Sequence, residues 1–256
     1  LRQTVPLRQI QKALPEQQHA RKMLILEGCV QGAATPNTNG AARRVLDRLG
    51  ISLIGAPKAG CCGAVNYHLA AHADGLNNMR RNIDAWWPHL QNGAEAIISS
   101  ASGCGAMLVD YGRLLADDPL YADKAKRVSQ LSRDIGEILM EEDLTKLTID
   151  TQVGKVAIHS PCTLQHALQK PDLIASLLGR AGFDIAITTE KLLCCGSAGT
   201  YSILQSTISE KLRAKTLHAL EHDQPAVIAT ANVGCQLHLQ AAAGVPVVHW
   251  IELLDA

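Results

Sequence analysis

The sequence predicts an α/β fold built twice: two similar open parallel-sheet (doubly wound) domains related by internal duplication. Three observations predict it. Short aliphatic runs such as Met23–Leu26 alternate with helix-patterned stretches, as expected of strands buried on both faces between helices. All eight cysteines fall into one spacing used twice. Of 256 residues, 47% are hydrophobic but only 3% aromatic, so the chain has ample core material, nearly all of it Ala, Val, Ile and Leu.

The repeat is read from the cysteines. The first set is Cys29, Cys61, Cys62 and Cys104, and the second is Cys162, Cys194, Cys195 and Cys235. In each set 31 residues separate the first cysteine from a Cys-Cys-Gly triplet, and 41 or 39 residues lead on to the last. Other strings keep the same offset: Val45–Ile54 aligns with Leu177–Ile187, and Ser99–Cys104 with Ala229–Cys235. The join falls near Asp143–Thr151, giving a first domain over 21–146 and a second over 152–256. Residues 1–20, with Pro6, Pro15 and several Gln, read as a linker.

The elements follow in order. Met23–Cys29 reads as a buried strand, and Gly40–Gly50 as a helix ending on a glycine suited to a C-cap. Ile51–Pro57 is a second strand, Asn66 to about Leu90 is helical, and Ala94–Ser102 is a third strand. Helix resumes after Gly103. "RVSQLS" and "IGEILMEE" are expected as a short strand and a helix that close the domain. The second half repeats the series: strand "KVAIHS", a helix to Gly182, strand "FDIAITT", a long helix from about Thr200 to His222, strands "AVIATAN" and "VPVVHW", and a final turn.

Charge excludes several roles. Lys+Arg and Asp+Glu number 24 each, so there is no positive excess to displace counterions from nucleic acid or to meet anionic lipid. The scarcity of aromatics also disfavours a base-stacking platform. No apolar run approaches the roughly 20 residues of a membrane span.

In this topology every cysteine lies at or just beyond the carboxyl end of a strand, where open parallel sheets hold their ligands. Each set is therefore expected to converge on one site. Cys104 and Cys235 also open helices, whose free N–H groups and dipole favour a thiolate. Gly63 and Gly196 allow a left-handed backbone that brings the chain close to a sulfur-bound ligand. Four convergent thiolates suit an iron–sulfur cluster or zinc. Disulfides fit poorly with an α/β chain expected in a reducing cytoplasm. Eight buried structural cysteines, or a thiol–disulfide enzyme acting through Cys61–Cys62 or Cys194–Cys195, complete the alternatives.

The repeated Cys…Cys-Cys-Gly…Cys pattern resembles the cysteine-rich CCG domain of the heterodisulfide reductase family. The strings "LEGCVQGAATPNTN", "AGCCGAVNYHL", "RRNIDAWWPHL", "SPCTLQHAL", "CCGSAGTY", "ATANVGCQLHL" and "VHWIELL" are similar to one branch of that family, the iron–sulfur subunits of glycolate oxidase (glycolate dehydrogenase). The resemblance runs over nearly all of Leu24–Leu254. It implies an electron-transfer subunit of a complex on the cytoplasmic face of the membrane. There a flavin-containing subunit oxidises glycolate to glyoxylate and electrons pass towards quinone. An iron–sulfur cluster of the four-iron type is expected at one or both cysteine sites, with zinc as the alternative at one. Family members carry an N-terminal ferredoxin-like domain, but this sequence holds no C-x-x-C-x-x-C motif and looks like the C-terminal part of such a subunit. The chain alone is expected to turn over no glycolate. The fullest family motif ends in C-x-x-C, whereas Met107 and His238 stand at those final positions here. Four cysteines per site remain, which puts a five-cysteine non-cubane cluster in doubt.

Histidines complete the candidates. His159, three residues before Cys162, and His166, four after, are placed to donate a hydrogen bond to a ligand sulfur. The pairs His68/His72 and His218/His222 share helical faces but lack the H-E-x-x-H form and read as surface. Of Trp86 and Trp87, one is expected in the core and one at an interface.

Overall fold

The computed structural model describes residues 12–190 and 193–255. Much of the expected linker therefore lies outside the described residues. Residues 12–20 form no helix or strand, but His19 pins them: its N–H donates to Ser52 Oγ (2.8 Å) and its ring meets Asp47 (2.8 Å).

The first half builds a sheet from β1 (Arg21–Ile25), β2 (Ile51–Gly55), β3 (Ile97–Ser99) and β4 (Ser132–Asp134), all parallel, in the order β2-β1-β3-β4. The second half uses β5 (Val156–His159), β6 (Val227–Thr230) and β7 (Val247–His249) in the order β5-β6-β7. A single parallel bridge, Val156 to Ile185, sits where β2 sits in the first half. The two sheets thus share one topology and one register: Leu24 faces Ile97 as Ala157 faces Ile228.

The helices are α1 (Gln31–Ala34), α2 (Pro36–Arg48), α3 (Ala64–His68), α4 (His72–Gln91), α5 (Ser102–Leu114), α6 (Ala122–Leu131), α7 (Ile135–Glu141), α8 (Leu173–Arg180), α9 (Tyr201–Leu204), α10 (Ser206–Leu220), α11 (Val233–Gln240) and α12 (Trp250–Leu253). Pro36 opens α2, where its missing N–H costs nothing. Strand residues such as Leu24, Ile25, Ile97, Ile98, Ala157 and Ile228 are fully buried, as parallel strands covered on both faces must be.

Four elements differ from the expectation. "RVSQL" belongs to α6, because Ala125 and Val128 bury at helical spacing, and the strand is the next three residues. The helix expected from Asn66 breaks at Leu69–Ala71 into α3 and α4, and the one expected from Thr200 breaks at Gln205 into α9 and α10. "FDIAITT" makes only the bridge, since the Ile187 N–H turns to Asp223 (3.0 Å) instead of the ladder.

The halves are not separate beads. One hydrophobic cluster joins Ile25, Val45 and Ile138 of the first half to Val156, Leu177 and Trp250 of the second. The closing helices are exchanged: α7 packs on α8, and α12 packs on α2. Thr38 on α2 donates to Glu252 on α12 (2.7 Å), and Arg44 donates to Asp255 (2.7 Å).

Candidate metal centres

Each Cys-Cys-Gly turn is shaped by its glycine. Gly63 and Gly196 lie at φ +89° and +87°, in the left-handed region. A Cβ there would stand 2.7 Å from the Gly75 carbonyl or 2.5 Å from the Ser209 carbonyl, so the turns are pressed against α4 and α10. The tight turn aims backbone amides at sulfur: Gly63 N–H donates to Cys61 Sγ and Gly196 N–H to Cys194 Sγ, both 3.4 Å, and Ser197 N–H to Cys195 Sγ at 3.5 Å. Such amides favour a thiolate over a thiol.

Buried polar side chains clamp the turns from the long helices. Asn82 on α4 accepts from Gly60 N–H (2.8 Å) and donates to Cys61 O (2.9 Å) and Tyr111 Oη (3.0 Å). Tyr111 donates onward to Cys62 O (2.8 Å). In the second half Thr216 on α10 donates to Cys194 O (2.9 Å) and Ser209 to Gly196 O (2.8 Å). Sequence reasoning misses all four. Their only signal is a polar residue at a core-facing position of a helix.

The thiols line up in two rows. In the first half, burial and then the Cys61 thiol push Cys29 up; the Cys62 thiol pushes Cys61 up, and the Cys104 thiol pushes Cys62 up. In the second, Cys194 and then burial raise Cys162, while Cys194 and Cys235 raise Cys195. Cys194 itself is pushed down, because the Cys162 and Cys195 thiols donate to it. Cys195 and Cys235 sulfurs stand 3.0 Å apart. Cys104 and Cys235 are each the third residue of a helix, α5 and α11. All eight cysteines are free thiols, and only Cys29 is exposed. Neighbouring thiols are thus within reach of each other along Cys29–Cys61–Cys62–Cys104 and along Cys162–Cys194–Cys195–Cys235, whereas the one tight cluster among the described residues is Cys195, Cys235 and His159. Rows of reduced thiols under amide donors suit a ligand that takes several thiolates, iron–sulfur or zinc.

The other candidates separate. His159 is buried, with Nδ1 2.9 Å from Thr230 Oγ1, and its ring nitrogen, Cys195 Sγ and Cys235 Sγ all lie within 4.8 Å of one another. Burial lowers its pKa to about 4, so the ring is neutral near pH 7. His166 is exposed on the turn after Cys162. His238 meets Ser209 Oγ through Nε2 (3.0 Å). Met107 is buried in the core beside Cys62 and Tyr111. His68, His72, His218 and His222 are not buried. Trp86 is buried, and the partly exposed Trp87 lies under the Lys124 ammonium.

These features define a class: a duplicated parallel α/β protein with a cysteine row at the carboxyl end of each sheet. The chain belongs to the cysteine-rich CCG domain family, which matches residues 23–109 and 156–240. It is 50% identical over 244 residues to the Escherichia coli (strain K12) glycolate oxidase iron–sulfur subunit, covering 95% of this chain and 60% of that protein. The chain thus spans less than two thirds of that relative. It is 25% identical to Bacillus licheniformis lactate utilization protein A, covering 92% of this chain and 99% of that one. A crystal structure of a hypothetical protein from Helicobacter pylori shares the fold over 93% of this chain and 49% of its own, with a TM-score of 0.62 and 11% identity.

Proposed function

We propose that this chain is the cluster-carrying C-terminal part of the iron–sulfur subunit of a glycolate-oxidising complex and relays electrons. One observation carries the reading: eight thiols form two rows in a chain half identical to the E. coli iron–sulfur subunit. Cys29, Cys61, Cys62 and Cys104 would hold one group, and Cys162, Cys194, Cys195 and Cys235 the other. A four-iron cluster, when bound, supplies reversible one-electron carriage.

The chain's own residues do the rest. The Gly63 and Gly196 amides stabilise thiolate charge, and Asn82 and Thr216 hold the turns rigid. The helix ends carrying Cys104 and Cys235 add positive potential. Nothing in this chain oxidises glycolate; that step belongs to a flavin-containing partner subunit, with quinone as the eventual acceptor. No helix among the described residues is long and apolar enough to cross a membrane, so attachment to the inner face would run through accessory subunits.

The test is iron and acid-labile sulfide per chain after anaerobic purification, with a reduction-dependent signal. Iron and sulfide sufficient for one or two clusters support the reading. Two zinc ions and no iron would instead favour a structural scaffold that docks the flavin subunit, a reading favoured by the imidazole of His159 beside two thiols. Neither metal after reconstitution refutes the electron-relay reading and leaves a metal-free scaffold that docks the flavin subunit.

A further inference from the structure

The two rows are not alike. Strand register equates Leu24 with Ala157, and two residues further on Leu26 with His159; likewise Ser99 equates with Thr230. In the first half Leu26 is buried, and the Ser99 hydroxyl bonds locally to Ala101 O (2.8 Å). In the second, His159 and Thr230 have replaced both and bond each other (2.9 Å). His159 is 3% exposed, and its Nε2 has no hydrogen-bond partner among the described residues. A ring nitrogen lies within 4.8 Å of the Cys195 and Cys235 sulfurs. An orphaned buried nitrogen is costly unless something binds it. A histidine whose other nitrogen is fixed by a hydroxyl is arranged as metal-ligating histidines are.

We propose that His159 Nε2 is a protein ligand of the metal group held by the second cysteine row, which makes the two centres chemically distinct. The inference rests on the electron-relay reading above. The first centre presents sulfur alone, and the second presents sulfur and a neutral imidazole. Imidazole brings no negative charge, so where it takes the place of one thiolate the second centre is the more easily reduced of the two. Thr230 is a positioning residue that sets the ring's tautomer and angle.

The experiment uses the full chain labelled with ¹⁵N-histidine, purified anaerobically and studied by pulsed electron paramagnetic resonance. Expected is a ¹⁵N coupling on the signal of one centre. His159→Leu, which installs the first half's residue, abolishes the coupling and leaves the other centre's signal intact. Thr230→Val, which keeps the ring, changes its size. The wild-type coupling stands even if a variant fails to fold. Two centres without nitrogen coupling, or a coupling that survives His159→Leu, overturn the inference and leave the electron-relay reading in place. If the chain holds no iron, that reading has failed, and Co²⁺ titration of the reduced, metal-free chain decides about His159. Two ions should then bind, one of them at least about tenfold more weakly in His159→Leu. Equal affinities, or no binding, overturn it.

Discussion

Ser102 Oγ lies 2.8 Å from Thr163 Oγ1, and this hydroxyl pair bridges the halves between the two cysteine rows. Ser102 stands two residues before Cys104, and Thr163 follows Cys162. The Ser102 N–H also donates to Ala231 O across the same seam (2.9 Å). The two sites are therefore anchored to each other. A double-mutant cycle of Ser102→Ala and Thr163→Val should give a coupling of about 1 kcal/mol in urea unfolding. A coupling of zero would mean that the pair contributes nothing to holding the halves together.

Gly63→Ala and Gly196→Ala should each cost about 3 kcal/mol, since both left-handed backbone and a carbonyl within 2.7 Å oppose a methyl group. Gly50 also has positive φ (+80°), but open space surrounds its Cβ position. Gly50→Ala should cost only about 1 kcal/mol. Denaturant midpoints compare the three, and equal losses would mean that close approach adds nothing.

Asn82→Ala leaves the Gly60 N–H, the Cys61 carbonyl and the Tyr111 hydroxyl short of a partner. The expected loss is about 3 kcal/mol. Thiol titration should show Cys62, buried in the native protein, reacting faster in the variant, while the second-half thiols keep their rates.

Two equivalent helix caps should titrate in opposite senses. His249 caps α12 by accepting from Ile251 N–H through Nδ1, and its Nε2 donates to Ser100 O (2.6 Å). Burial holds its pKa near 4, below the ordinary 6.5. Its contribution is therefore full above pH 6.5 and is lost as pH falls through 4. Asp134 caps α7 by accepting from Gly136 N–H (2.8 Å), and burial raises its pKa to about 7. Its contribution is full below the ordinary 3.8 and is lost as pH rises through 7. Asp134→Asn should flatten stability between about pH 4 and pH 7, and His249→Asn should remove part of the acid loss. Thermal melts across pH read both.

Much of the candidate site was legible. Cysteine spacing places Cys29, Cys61, Cys62, Cys104, Cys162 and Cys235 beyond the carboxyl ends of strands, while Cys194 and Cys195 follow only the bridge at Ile185, and the offset between Cys29 and Cys162 carries the duplication into both sheets. Residues whose role depends on a distant partner were not legible. Asn82 reads as one more polar helix residue until Cys61 and Tyr111 close around it. Sequence places His159 near the ligands, but beside Cys162 by chain proximity. Strand pleating instead turns its ring towards Cys195 and Cys235.

The order of residues by itself determined most of the elements, the duplication and the thiol set, because strand periodicity, glycine turns and ligand chemistry are local properties of short stretches. Only tertiary structure decided that α7 covers α8 and α12 covers α2, and that the halves share one core. Those contacts join segments as far apart as Thr38 and Glu252, and no local pattern encodes which apolar face finds which. Packing complementarity chooses among faces that look alike in sequence, so the exchange of closing helices appears only once the whole chain has collapsed.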